Sequence, residues 1–431
     1  MKIGVILAGG KSSRFKSSIP KGLHKIDGKS LVERLLDIFD VSKVEKKYII
    51  VNNDNYFYYK DIKGVDFLFQ GDIKGTGGAL YCINGLFNDS DELIVVNSDC
   101  FLFDKTLVGD FYNKFINSDK DLGLVTLKVD DPSGYGRIYN ENNKLVIIED
   151  SDTNEITKKI NIVNSGIYIF KGKYLKNNIK YLNVKYGESK ITLLLDNSDC
   201  FIYCSDSLIM NINSKEDFYN VNKQFYLFNC YKHIKKGVKI YDISSTYIGE
   251  DVILGKDVEI YPNNYLLGKV EIGDNSTILP NCLIENSIIG KECKIGPFSN
   301  IKENNVIGDG AVIGAFVEVK NSNIGNKTKA KHHVYLGDAI IGENGNIGCG
   351  TITANYDGKK KYKTVIGKNS FIGSNVTLVA PVKIGDNVVI GAGSTINEDV
   401  SDNSLAIARE RQVIKKDYYK KRLWKNVGKI E

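Results

Sequence analysis

An α/β domain followed by a triangular β-solenoid is the fold that this 431-residue sequence predicts. Three observations carry the expectation. Apolar residues recur every six positions between Ile248 and Ile396, strand-like and helix-like segments alternate over residues 1 to about 228, and the first apolar run ends in a glycine-rich turn.

The six-residue series comes first. Ile248, Leu254, Ile260, Leu266, Ile272, Ile278 and Ile284 keep one register. The series restarts one residue short and runs through Ile289, Ile295, Ile301, Ile307, Ile313 and Val319, then Ile324, Ala330 and Leu336, then Ile341 and Ile347. After a break it closes with Ile366, Ile372, Leu378, Ile384, Ile390 and Ile396. Six is neither a helical nor a simple alternating period. It suits a prism in which each hexapeptide makes one flat side and a corner, with the periodic aliphatic pointing inward and Gly, Asn or Asp turning the corner. At a strand spacing of about 4.8 Å, roughly eight coils make a prism about 40 Å long. No hexapeptide buries its own apolar residue, so the coils stand or fall together. The break, Ala354 to Val365, predicts a loop projecting from the prism, a natural place for binding residues.

In the amino-terminal half, Ile3–Leu7 reads as a strand and 31–39 as an amphipathic helix. Further strands are expected at Tyr48–Val51, Phe67–Phe69, Leu93–Val96, Gly123–Leu127, Leu145–Ile148, Ile167–Phe170 and Phe201–Cys204. Gln224 to Lys236 reads as a helix linking the domains. The turn Ala8-Gly9-Gly10-Lys11-Ser12-Ser13-Arg14 would let backbone N–H groups approach phosphate oxygens, with a following helix N-terminus adding its dipole. It is neither a dinucleotide fingerprint nor a Walker loop. Arg14 and Lys21 could bring two cations to one triphosphate. Asp99, just past the strand Leu93–Val96, stands at the carboxyl edge where open parallel sheets place ligands, and suits Mg²⁺; such an Asp also serves as a helix cap.

Composition fits a soluble globular protein: 42% hydrophobic and 26% charged residues. The apolar runs are too short for a membrane span, and the start lacks the apolar core and cleavage site of a signal peptide. Eight scattered cysteines without a metal-ligand array read as free thiols in the cytoplasm. From Arg409 to Glu431 nine Lys or Arg face three acids, which accounts for the chain's net charge of +6. That tail is read as a solvated cationic end able to greet an anionic ligand, rather than as a nucleic-acid site.

Taken in order, these residues resemble the bifunctional family that joins a glucosamine-1-phosphate N-acetyltransferase to an N-acetylglucosamine-1-phosphate uridylyltransferase. The resemblance covers about residues 1 to 410. It implies an α/β nucleotidyltransferase domain, Rossmann-like, over 1–228, a linker helix over 229–241, a left-handed parallel β-helix over 242–408, and a basic tail over 409–431. The co-substrates implied are UTP and acetyl-CoA, with Mg²⁺ as cofactor. No nucleic acid and no stable membrane insertion are expected. The family's assembly implies a homotrimer, which would also cover apolar faces of the solenoid.

By the same resemblance the glycine-rich loop falls on Leu7, Ala8, Gly9 and Gly10, with Arg14 and Lys21 catalytic. Uracil and ribose contacts fall on Gln70, Gly75 and Thr76. The metal would be held by Asp99 and Asn213, and the sugar by Gly136, Glu149 and Asn164. Lys302, Lys320, Tyr335 and Asn346 would hold the amino-sugar phosphate. Cys349, Asn355, Tyr356, Ser374, Ala392 and Arg409 would line the acetyl-CoA site. His332, in Lys331-His332-His333-Val334-Tyr335-Leu336-Gly337-Asp338, matches the catalytic histidine. An imidazole, ordinarily titrating near pH 6.5, is suited to take the proton of the attacking amine. Strict alternation along the coil would let only one of His332 and His333 face the cleft with Tyr335 and Asn355.

Three departures from the family pattern bear on specificity. Ser12-Ser13 replaces Gly-Thr, Asn97-Ser98 replaces Tyr-Gly before the metal aspartate, and Lys302 replaces an arginine that would grip phosphate bidentately. Two other functions compete: a nucleotidyltransferase of other sugar specificity whose β-helix is structural or regulatory, and a noncatalytic binding subunit. His332 beside a polar loop argues against the first. Arg14, Lys21, Asp99 and Asn213 together argue against the second.

Overall fold

The computed structural model describes residues 1–10, 15–141, 144–184, 187–196, 198–205 and 208–421. The expectations for Arg14 and for Ser12-Ser13, and the end of the basic tail (422–431), lie outside the described residues. The chain forms two compact units, Met1–Phe228 and Asn229–Glu431.

The first unit is built on a nine-stranded mixed sheet. Its strands run in the order Lys144–Ile148, Arg137–Glu141, Ile162–Lys171, Glu92–Asn97, Lys2–Leu7, Lys46–Val51 and Asp66–Phe69; Leu122–Lys128 branches from Ile162–Lys171 and pairs in turn with Phe201–Cys204. Lys2–Leu7 is central and parallel to both neighbours, with Leu7 opposite Ile50 on one side and Asn97 on the other. The chain moves outward from it to Lys46–Val51 and Asp66–Phe69, then returns to its other side at Glu92–Asn97. That reversal opens a crevice at the carboxyl ends of the strands, and residues 8–10 and 97–99 lie there.

Alternation along the first strand buries Ile3, Val5 and Leu7 on one face and Ile6 on the other. The helix Leu31–Val41 covers the second face, and is started by a capping box in which Glu33 N donates to Ser30 Oγ and Ser30 N to Glu33 Oε2. Gly4 lets that helix approach, since a Cβ there would meet the Phe39 ring at 2.6 Å. The helix expected at Gln224 begins nine residues earlier and spans Lys215–Ile234. Its start is set by reciprocal bonds, Asp217 N to Ser214 Oγ and Ser214 N to Asp217 Oδ2, rather than by an apolar stripe.

The second unit is a parallel β-helix, and each six-residue position has its place in it. Ile260, Ile278, Ile295, Ile313, Ala330, Ile347, Ile372 and Ile390 stack in register from coil to coil. Leu254, Ile272, Ile289, Ile307, Ile324, Ile341, Ile366 and Ile384 form a second stack. Ile248, Leu266, Ile284, Ile301, Val319 and Leu336 form the third. All of them are buried. Where the aliphatic series breaks, the third stack continues through Thr353, which pairs with Leu378 and then reaches Ile396. Thr353 is fully buried, and its hydroxyl accepts from Gly337 N at 2.8 Å and donates to Gly337 O at 3.1 Å. A polar residue therefore fills a core position at no unmet hydrogen-bonding cost.

The corners take left-handed backbone. One column is Gly268, Asn286, Glu303, Asn321 and Asp338, with φ of 68°, 45°, 67°, 48° and 48°. Another holds Asn263, Asn281, Phe298, Phe316, His333, Gly350, Asn375 and Gly393.

Candidate active sites

In the first unit a cavity of about 1140 Å³ opens at the strand ends. Leu7, Ala8, Gly9, Gly10, Lys21, Gln70, Gly75, Thr76 and Asp99 all line it, as do Asn97 and Ser98. The loop after the first strand is held from beneath: Asn55 Nδ2 donates to Ala8 O and Asn52 Nδ2 to Gly9 O, both at 2.8 Å. A Cβ at Gly9 would strike the Gln70 amide, so a larger residue there would require Gln70 to move. Gln70 is fixed in turn by Nε2 bonds to Ile73 O (2.8 Å) and Gly75 O (3.0 Å). The Thr76 hydroxyl accepts from Ile191 N at 3.1 Å, so it braces the helix Gly75–Tyr81. The helix N-terminus expected directly after the glycine-rich loop falls on residues 11–14, which lie outside the described residues; further on come a short 3-10 turn at Lys21–Leu23 and an α-helix from Leu31.

Lys21 Nζ pairs with Asp99 Oδ2 and lies 3.2 Å from Asn213 Oδ1. Asp99 Oδ1 is buried with no hydrogen-bond partner among the described residues, and so is Asn97 Oδ1. The Cys100 thiol next to them is raised well above its usual range by burial, which keeps it protonated and no nucleophile. The sugar-contact candidates lie together at the far strands. Asn164 N donates to Gly136 O at 2.9 Å, and Asn164 Nδ2 donates to the Tyr168 hydroxyl at 2.8 Å. Glu149 Oε1 stands 3.6 Å from Lys190 Nζ.

In the second unit the strand Lys329–Gly337 turns a corner at His333. Lys331, His332 and His333 are all exposed. Alternation therefore does not choose between the two histidines: His333 has φ of 47°, and a left-handed corner residue breaks the pleat. Register does separate them. Two residues beyond the stack Ala330–Ile347–Ile372–Ile390 come His332, Cys349, Ser374 and Ala392, one above another. His333 belongs to the neighbouring left-handed column. Arg409 reaches the top of the His332 column, with Nη1 donating to Ala392 O at 2.7 Å.

Toward the next corner lie the phosphate candidates. Lys302 pairs in register with Lys320, and Glu318 with Tyr335. Each lysine holds a carboxylate: Lys302 Nζ to Glu318 Oε1 at 3.3 Å, Lys320 Nζ to Glu303 Oε1 at 2.9 Å. The bond to Glu303 is the main reason that the Lys320 ammonium titrates above its usual range. Gly337 leaves the space that the Tyr335 hydroxyl and the Asn355 amide occupy, since a Cβ there would collide with both. Tyr335 is three residues beyond His332, on the far side of the His333 corner. Asn346 lies on the preceding face, in register with Lys329 and Phe371, and is not brought to Tyr335. Asn355 and Tyr356 begin the projecting loop, and Tyr356 is exposed.

Comparison with known proteins follows this division. Residues 4–135 match the MobA-like NTP transferase domain, residues 231–310 the GMPPB C-terminal domain, and residues 363–398 the bacterial transferase hexapeptide repeats. The bifunctional protein GlmU of Thermosipho africanus is 37% identical over 96% of both chains. That of Fervidobacterium nodosum is 38% identical over 98% of both.

The chain belongs to the bifunctional GlmU family.

Among solved structures, HddC from Yersinia pseudotuberculosis is 27% identical, covering 52% of this chain and 100% of that one with a TM-score of 0.40. The GlmU relatives span both units, so the Rossmann-like nucleotidyltransferase domain and the left-handed β-helix belong to one enzyme. Asn52, Asn55, Thr353 and Asp338 escaped sequence reasoning. The run Asn52-Asn53-Asp54-Asn55 just after a strand was a signal for the first two.

Proposed function

We infer that this GlmU-family chain acetylates glucosamine 1-phosphate with acetyl-CoA and transfers UMP from UTP to N-acetylglucosamine 1-phosphate. The products are UDP-N-acetylglucosamine and pyrophosphate. The observation that carries the reading is that each unit holds its own chemical constellation. Lys21, Asp99 and Asn213 converge in the first, and His332 heads the Cys349–Ser374–Ala392 column in the second.

For uridylyl transfer, Asp99 and Asn213 would hold Mg²⁺. The fit rests on the unpartnered, buried Asp99 Oδ1 and a nearby amide oxygen, a hard-oxygen pair of the kind Mg²⁺ accepts from a protein. When bound, the ion neutralises charge on the nucleotide phosphates. A sugar phosphate oxygen attacks the α-phosphorus in line, the bond to the bridging oxygen breaks, and pyrophosphate leaves. Lys21 offsets charge on the leaving group, and the Gly9 and Gly10 backbone approaches the phosphates. The protein's part is positioning and electrostatics.

For acetyl transfer, the amine attacks the thioester carbonyl, the C–S bond breaks, and His332 takes the amine proton. Cys349, Ser374, Ala392 and Arg409 form the wall along which the acetyl donor lies. Lys302 and Lys320 meet the sugar phosphate.

The homotrimer and a cytoplasmic location belong to the same reading. Tyr335 and Asn346 lie on different sides of the His333 corner, which favours a site completed by a neighbouring subunit. The eight free cysteines fit a reducing compartment. No helix among the described residues is long and apolar enough to cross a membrane. The test is to incubate the protein with glucosamine 1-phosphate, acetyl-CoA, UTP and Mg²⁺ and to omit each in turn. UDP-N-acetylglucosamine should form only from the full set. Formation without acetyl-CoA, or of UDP-glucosamine, would overturn the reading.

A further inference from the structure

Asp338 occupies the last left-handed corner of its column before the projecting loop. It follows Gly268, Asn286, Glu303 and Asn321 in the column two residues beyond each core aliphatic of the third stack. The next place in that column, seventeen residues on, is Asn355, where the loop departs. Both residues are largely buried, at 9% and 6% exposure.

The Asp338 carboxylate is shared. Oδ2 accepts from Asn355 Nδ2 and Oδ1 accepts from Asn321 Nδ2, each at 2.5 Å. Its backbone carbonyl accepts from Thr364 N at 3.3 Å, where the loop rejoins the coil. Within the loop, Tyr362 N donates to Asn355 O at 2.8 Å. One residue thus grips both ends of the excursion that presents Tyr356. The same grip aims the Asn355 amide over Gly337, beside the Tyr335 hydroxyl. The carboxylate fits the place: two amide donors arrive from opposite sides, and it offers an acceptor oxygen to each.

We propose that Asp338 is a positioning residue for acetyl transfer, fixing the projecting loop and the Asn355 amide so that the acetyl donor is bound in its reacting pose. The inference rests on the acetyl-transfer reading above and assigns a role to a residue outside the substrate-contact set. A merely structural corner would stabilise the coil and leave donor binding alone.

The test is steady-state acetyl transfer by the full-length protein with acetyl-CoA varied, with uridylyl transfer and thermal midpoint measured alongside. Asp338→Gly removes both acceptors without backbone strain, and Gly268 holds the equivalent corner at φ 68°, so the coil tolerates glycine there. The expected result is a rise of about tenfold or more in the KM for acetyl-CoA, with kcat changed less than about threefold and uridylyl transfer unchanged. Asp338→Asn should recover most of the loss, because its Oδ1 keeps Asn355 while the Asn321 amide turns to offer its carbonyl. Asn321→Ala should leave the KM within about twofold of wild type. An unchanged KM in Asp338→Gly would overturn the proposal, as would an equal loss in Asn321→Ala. So would a fall in kcat with KM intact. A wild-type protein inert toward acetyl-CoA would instead overturn the functional reading, and this inference with it.

Discussion

Lys21 and Asp99 meet as an ion pair in the nucleotide cavity, with Asn213 Oδ1 3.2 Å from the same ammonium. The two groups proposed to hold Mg²⁺ are thus the two that the lysine grips, and one cation has to displace the other. The expected consequence is an inversion. Lys21→Met should tighten Mn²⁺ binding measured calorimetrically without nucleotide, while weakening UTP. Lys74→Met, the same charge change elsewhere on the cavity wall, should do much less. Asp99→Ala should lower uridylyl transfer by about a hundredfold or more and leave acetyl transfer intact. Weaker Mn²⁺ binding in Lys21→Met would refute the competition.

A second competition is set up on the β-helix. Lys320 is held by Glu303 at 2.9 Å, and a sugar phosphate binding Lys320 must first take it from that carboxylate. Glu303→Gln should therefore lower the KM for glucosamine 1-phosphate, by about two- to fivefold given the modest worth of an exposed ion pair. The KM for acetyl-CoA should not move. A raised sugar-phosphate KM would mean that Glu303 orients Lys320 rather than competing for it.

His233 supplies a pH dependence of stability. It is buried near the end of the helix Lys215–Ile234, its Nδ1 has no hydrogen-bond partner among the described residues, and Lys232 and Lys236 stand close by. Burial, with those two lysines adding, lowers its pKa to about 4. The ordinary value is about 6.5. Between the two the unfolded chain binds the proton more readily, so this contribution is whole above pH 6.5 and is lost progressively as pH falls toward 4. Thermal midpoints of the wild type should drop across that window more steeply than those of His233→Leu. Parallel curves would show that the imidazole is not the cause.

What the sequence made legible follows from which forces leave a periodic trace. Inward aliphatics must recur, so Ile248 through Ile396 declared the coils, and Thr353 broke the pattern because backbone partners rather than apolar neighbours satisfy it. The start of the helix at Lys215 stayed hidden, since the Ser214–Asp217 cap sets it before any apolar stripe begins. Residues that hold other residues leave no such trace: Asn52 and Asn55 under the first loop, and Asp338 under the second, are recognisable only once their partners are in place. The alternation argument at His332-His333 failed for a local reason, the left-handed backbone of His333.

Register decides what alternation could not. His332 stands in the column of Cys349, Ser374 and Ala392, and His333 stands in the adjoining column with Phe316 and Gly350. A base that takes the amine proton must lie beside the acetyl donor, and the donor's proposed wall is the first column. His332→Ala should lower the kcat of acetyl transfer about a hundredfold, within the usual range for a lost general base, with uridylyl transfer and assembly unchanged. His333→Ala trades one left-handed residue for another less suited to it, at a cost of about 1 kcal/mol in stability, and should keep most acetyl transfer. His333→Gly, which relieves that strain, should keep it all. Acetyl transfer measured for the three variants at saturating substrates settles the assignment. A hundredfold loss in His333→Gly with His332→Ala active would move the base to the corner and the donor to the second column.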